Sequence, residues 1–144
     1  MNIEAPSHLT ALLNVPPRSP LTEVLFTAHD GNKPHSLAHI YVPRDLAQSD
    51  QPAATPSPKQ VPVRLVDSQP LLVEVQERLS ARLPTAEEAT ALRISSCLAV
   101  LSLTRVAIDA TGRVVEAAIL VLPGDRADAL FTTRLNPEER TPKV

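Results

Sequence analysis

Aromatic residues are nearly missing from this chain: two Phe, one Tyr and no Trp in 144 residues. A core built on stacked rings is therefore excluded, and Leu, Val, Ile and Ala must fill the interior. Glycine is as scarce, with three residues, too few for a phosphate-cradling loop. A single cysteine, Cys97, excludes an internal disulfide and fits a reducing cytosol. It is expected to be a small packed residue at the mouth of a strand. Neither sign of charge dominates: the net charge of −2 gives no global attraction to nucleic acid or to an anionic membrane. No apolar run approaches the roughly 18 residues of a spanning helix. Met1-Asn2-Ile3-Glu4 lacks the basic lead of a signal peptide. The expectation is one soluble, cytoplasmic domain over residues 1–144, with no membrane partner.

Proline is what the chain has in excess, at 15 residues. Pro52, Pro56, Pro58 and Pro62 fall within one stretch, SDQPAATPSPKQVP. Each removes a backbone donor and fixes φ, so residues 49–62 read as a semi-extended connector.

The connector separates two halves, about 5–47 and 71–133, that follow one plan, with a tail at 134–144. Laying Leu13-Asn14-Val15 on Leu92-Arg93-Ile94 gives an offset of 79 (92 − 13), which places Asp30 on Asp109. One extra residue in the second turn raises the offset to 80, placing Pro43 on Pro123 and Asp45 on Asp125. Each half reads as helix, strand, turn, strand, Pro-x-Asp. That order points to an internal two-fold repeat.

Local signals support the plan. Thr85 and Glu88 form a capping-box pattern at the second helix, and Ser7 is its weaker counterpart in the first. Strand 21–28 meets strand 34–42 across His29-Asp30-Gly31-Asn32-Lys33. Strand 98–108 meets strand 113–122 across Asp109-Ala110-Thr111-Gly112. Segment 71–83 fits either a helix or a strand, and local propensity favours helix.

The second hairpin carries an unusual pair. If Ile108 pairs with Arg113, Arg105 lies opposite Glu116, among apolar neighbours. Such a pair is either a half-buried structural ion pair or a polar anchor for a ligand, since a guanidinium grips a carboxylate or phosphate at two points. The same construction in the first half places Phe26 opposite Ser36, so only one half carries the charges. A metal site is not expected. His35 and His39 share a strand face but stand about 13 Å apart, too far for one zinc. Ser95 and Ser96 adjoin Cys97 without a nucleophile elbow or a nearby His. No catalytic group, metal or cofactor is assigned.

ARLPTAEEATALRI, followed by LAVLSLTRVAIDATGRVVEAAILVLPGDR, resembles the UTRA domain, the effector-binding half of GntR/HutC-type bacterial transcription regulators. The resemblance is carried by Ala81, Arg82, Pro84, Leu92, Ile94, Arg105, Asp109, Gly112, Arg113, Glu116 and Asp125-Arg126. In the first half it is carried by Pro6, Leu13, Val15, Asp30-Gly31, Pro34, Tyr41-Val42-Pro43 and Asp45-Leu46. It implies an α+β, chorismate lyase-like fold: an antiparallel sheet with helices packed on it and a ligand cleft between sheet and helices. It also implies a strand, not a helix, over 71–82. The implied function is binding of a small, anionic effector by a homodimer, without enzymatic activity; the alternatives are a stand-alone interaction module that needs no ligand and, on the shared fold alone, a chorismate lyase-like enzyme. The implied ligand-binding residues are Arg105, Glu116 and Arg82, with Tyr41 and Glu77 beside them. DNA would be met only through a winged helix-turn-helix, which this sequence does not show. Phe26 and Ser36 stand where family members often carry polar or charged groups, which implies a less polar effector or a partly filled pocket.

Overall fold

The computed structural model describes residues 1–47 and 72–135. The proline-rich connector, 49–62, and most of the tail lie outside the described residues. Eight elements follow in order: β1 (Asn2–Glu4), α1 (Ser7–Leu13), β2 (Pro20–Asp30), β3 (Lys33–Pro43), β4 (Leu72–Arg82), α2 (Ala86–Leu92), β5 (Val100–Asp109) and β6 (Val114–Pro123). The six strands form one antiparallel sheet in the order β1-β2-β3-β6-β5-β4. This is the expected α+β architecture. Segment 72–82 is a strand, against its local helix propensity, because it pairs with β5 along its length.

The repeat is visible in three dimensions. Helices α1 and α2 differ by 79 at both ends (86 − 7 and 92 − 13). Each ends on a left-handed residue, Asn14 (φ 51°) and Arg93 (φ 54°), at the same offset. Strands β3 and β6 meet at the centre, pairing Leu37 with Val121, His39 with Ile119 and Tyr41 with Ala117. His39 thus pairs with its own counterpart (119 − 39 = 80), so the pseudo-two-fold axis passes through this pair.

Both helices lie on one face of the sheet. From α1, Leu9 and Leu13 pack with Leu21, Tyr41 and Ala117; from α2, Leu92 packs with Leu37, Val100 and Val121. Thr85 begins α2 as expected, its side chain accepting from the Glu88 N–H while Glu88 accepts from the Thr85 N–H. Helix α1 begins after Pro6 with no side-chain cap, so Ser7 does not play the capping part its sequence position suggested. The opposite face carries a second cluster: Ile40, Val42, Ala107, Val115 and Ala118, with Phe26 and Leu72 against it.

The hairpin registers differ from expectation, in the same way twice. Asp109 and Arg113 close the second turn, through the Asp109 N–H to the Arg113 carbonyl and through Asp109 Oδ1, which accepts from the Thr111 and Arg113 N–H groups. Ile108 therefore meets Val114, and a bulge between Ala107 and Ile108 adds a further step. Arg105 faces Ala118, and Glu116 faces Ala107. In the first hairpin Asp30 meets Lys33, a bulge follows between Ala28 and His29, and Phe26 faces Ala38 while Ser36 faces Ala28. The expected pairs Arg105–Glu116 and Phe26–Ser36 are thus both corrected by two positions. The cause is a tighter turn plus one extra residue in each hairpin. Cys97 is also corrected: it is exposed, in the turn before β5, where its N–H meets Ser95 Oγ at 3.1 Å.

Gly124 has a steric reason to be glycine. It closes on Ala99 with an N–H to carbonyl bond of 2.8 Å, and a Cβ there would lie 2.5 Å from the same oxygen.

Candidate functional site

Side chains alternate along a strand, so register decides which groups share a face. Glu77 pairs with Arg105, Arg105 with Ala118, and Ala118 with Ile40. Glu116 and Ala107 stand one pair along on the same face. Arg105, Glu77 and Glu116 are therefore brought together on the face that the two helices do not cover. Arg105 and Glu116 are diagonal neighbours, which places their Cβ atoms about 7 Å apart. Arg105 Nε donates to Glu77 Oε1 at 3.1 Å. Among the described residues, its two terminal nitrogens have no hydrogen-bond partner.

The floor beside them is small and apolar. Ala38, Ala107 and Ala118 are buried, as are Ile40 and Val42. Glu116 is only 3% exposed. Its counterpart in the repeat, Ser36 (116 − 80), is buried on the same face. A polar group is thus set at the same point of both halves, and only the second half makes it a carboxylate. The arrangement sets a cationic donor and a carboxylate beside Ala38, Ala107 and Ala118, with Ile40, Val42 and Phe26 packed next to them. The guanidinium of Arg105 suits the anionic group of a small ligand.

Tyr41 and Arg82 are not part of this cluster. Both project from the helix-covered face. Tyr41 is buried between α1 and the sheet, and its hydroxyl lies 3.3 Å from His39 Nδ1. Burial pushes the Tyr41 phenol well above its ordinary range, and the facing Glu23 adds to the shift. Arg82 holds Glu88 with two bonds, 2.6 Å from Nη1 and 2.8 Å from Nη2. These bonds hold the Glu88 carboxyl down at about 2. Arg82 thereby ties the end of β4 to the start of α2, which is a structural task.

The helix-covered face also has an open groove of about 570 Å³ between α1 and strands β4, β5 and β6. His8, Leu12, Gln76, Arg78, Thr104 and Val106 are among its lining residues. The resemblance implies a cleft between sheet and helices, and Glu77, one of the implied ligand-binding residues, also borders this groove; its other lining residues were not singled out from the sequence. The alternation of β4 would have put Gln76 and Arg78 on one face, but nothing local says that α1 stops short of them. Among the described residues, no three His, Cys, Asp or Glu side chains are grouped to hold a metal ion. No helix among them is long and apolar enough to cross a membrane.

The UTRA domain family model matches residues 2–128. Several solved structures share the fold. A transcriptional regulator from Streptomyces coelicolor superposes with a TM-score of 0.81 at 22% identity, over 95% of this chain and 90% of that one. The C-terminal domain of the histidine utilization repressor from Pseudomonas syringae pv. tomato gives 0.74 at 21% identity, over 92% of this chain and 93% of that one. The effector domain of PhnF from Mycobacterium smegmatis gives 0.67 at 16% identity, over 94% and 83% respectively. No curated protein matches the chain.

Proposed function

The chain belongs to the UTRA domain family, and we propose that it is the small-molecule effector-binding and dimerisation domain of a cytoplasmic GntR/HutC-type transcription regulator. The observation that carries the reading is Arg105. It is fixed at Nε by Glu77, while its terminal nitrogens have no partner among the described residues. A guanidinium held in this way is pre-organised for an anion, because little freedom is lost when the ligand arrives.

In this reading a small anionic effector bridges Arg105 and the Glu116 side of the same face. DNA contacts belong to a winged helix-turn-helix and not to this sheet. The effector acts by binding one dimer arrangement better than another, and that difference in affinity is the coupling energy. No bond is made or broken in the effector, so the domain is a sensor and not an enzyme.

The test is a thermal-shift screen of phosphorylated sugars, amino-acid derivatives and carboxylates. A true effector at a hundredfold excess over its Kd stabilises the fold by about 2.7 kcal/mol. Arg105→Ala should abolish that shift. Tyr41→Phe and Arg82→Ala, on the other face, should keep it. An effector whose shift survives Arg105→Ala would remove Arg105 from the site.

A further inference from the structure

Strand β4 is the long edge of the sheet. It has eleven residues, Leu72–Arg82, and among the described residues only β5 lies beside it. Every residue from Val73 to Ala81 is exposed. Three of them are large and apolar: Val73 is 61% exposed, Val75 48% and Leu79 41%. Val75 and Leu79 share the face of Glu77, and Val73 is the extra residue of a bulge between Leu72 and Glu74. A long edge with apolar side chains is a template for another strand and is normally blunted when it is not used. At the opposite edge β1, which occupies the matching place in the first half, has three residues and pairs only with Pro20, Leu21 and Thr22 of β2.

The sequence of β4 is complementary to itself in one antiparallel register. A two-fold axis perpendicular to the sheet keeps each face continuous, so only registers that pair like-facing residues are allowed. With Gln76 opposite its own copy, Glu74 faces Arg78 twice. Val75 then faces Glu77, which is already engaged by Arg105. Sliding the register two residues along in the pair sum sets Glu77 against Glu77, and four residues along sets Arg78 against Arg78. Like charges directly opposite one another are destabilising. Sliding it the other way sets Val75 on Val75 and loses both Glu74–Arg78 pairs. Among the described residues neither Glu74 nor Arg78 has an ion-pair partner within its own chain.

We infer that β4 pairs antiparallel with β4 of a second copy, centred on Gln76, so that one sheet runs through both protomers. The inference rests on the dimeric reading above and names its surface. Because the contact is isologous, with the same strand used on both sides of a two-fold axis, the pairing closes as a dimer.

Sedimentation of the full 144-residue chain, with circular dichroism to confirm folding, tests it by charge reversal. Glu74→Arg and Arg78→Glu each place like charges across the axis. Each should weaken the dimer at least tenfold, and the double reversal should restore it. Gln76→Cys in a Cys97→Ser background should give a disulfide-linked dimer on oxidation. A wild-type monomer, or a folded dimer indifferent to both single reversals and not cross-linked through position 76, would overturn the inference. Effector-induced stabilisation is a separate readout. Its loss with the dimer intact would sink the sensor reading alone.

Discussion

Arg105 lies directly opposite Glu77 across β4 and β5, with Nε 3.1 Å from Oε1. Its guanidinium therefore answers to an edge strand from another part of the chain and not to its own hairpin. The pair is partly solvated, with side chains 24% and 38% exposed. It holds Arg105 in place more than it stabilises the fold, since exposed ion pairs contribute about 0.2–1 kcal/mol.

Glu77→Gln should follow from this. Urea denaturation should show a loss of no more than about 1 kcal/mol. The affinity for an anionic effector found by screening should fall by a larger margin than the stability, because Arg105 loses its fixed orientation. Equal losses in both would make the pair merely structural.

Acid should weaken the joint between β4 and α2. The folded-state pKa of Glu88 is lowered from 4.5 to about 2, chiefly by its bonds to Arg82. A lowered carboxyl pKa stabilises the fold above the unfolded value, and that contribution is lost as pH falls from about 4.5 toward about 2. Arg82→Ala should flatten the stability-versus-pH curve in that window. A curve of unchanged slope would show that Glu88 is not the group responsible.

Leu13 and Leu92 are repeat counterparts, 1% and 0% exposed. Each →Ala substitution should cost about 2–5 kcal/mol by chemical denaturation, because the surrounding sheet cannot collapse onto the vacated space. A cost below about 1 kcal/mol at either position would mean that its helix is not fastened to the sheet as described.

Gly124→Ala should destabilise by about 1–3 kcal/mol, the ordinary cost of forcing a group into filled space. The added Cβ would meet the Ala99 carbonyl oxygen, a backbone atom that cannot swing away. Gly112→Ala provides the contrast. Nothing lies within 4 Å of its Cβ position, and only its φ of 86° resists substitution. Thermal melts of the two variants should separate packing from backbone strain.

Elements whose signals are short-range were legible in the sequence. The Thr85–Glu88 capping box, the Asp30 and Asp109 turns and the apolar alternation of β2, β3, β5 and β6 involve residues within a few positions of one another. The repeat could be read for the same reason, since it is a comparison of local patterns. Strand β4 was not legible that way: its residues suit a helix, and only pairing with β5 makes it a strand.

The candidate site was half legible. Arg105 and Glu116 stood out as charges in an apolar hairpin, and the expectation that they share a face holds. Their direct opposition does not. A bulge after Ala107 leaves no clear mark in composition, yet it moves every pair beyond it. Tyr41 and Arg82 were grouped with them by resemblance, and strand parity put them on the other side of the sheet.

Chain chemistry alone thus determined the pieces: the capping box of α2, two turns, two apolar hairpins and their duplication, all set by interactions between near neighbours. Tertiary structure decided that β3 and β6 lie at the centre, that Glu77 and not Glu116 meets Arg105, and that β4 is a long exposed edge among the described residues. Those outcomes depend on pairings between strands far apart in the chain, where a shift of two residues changes every partner.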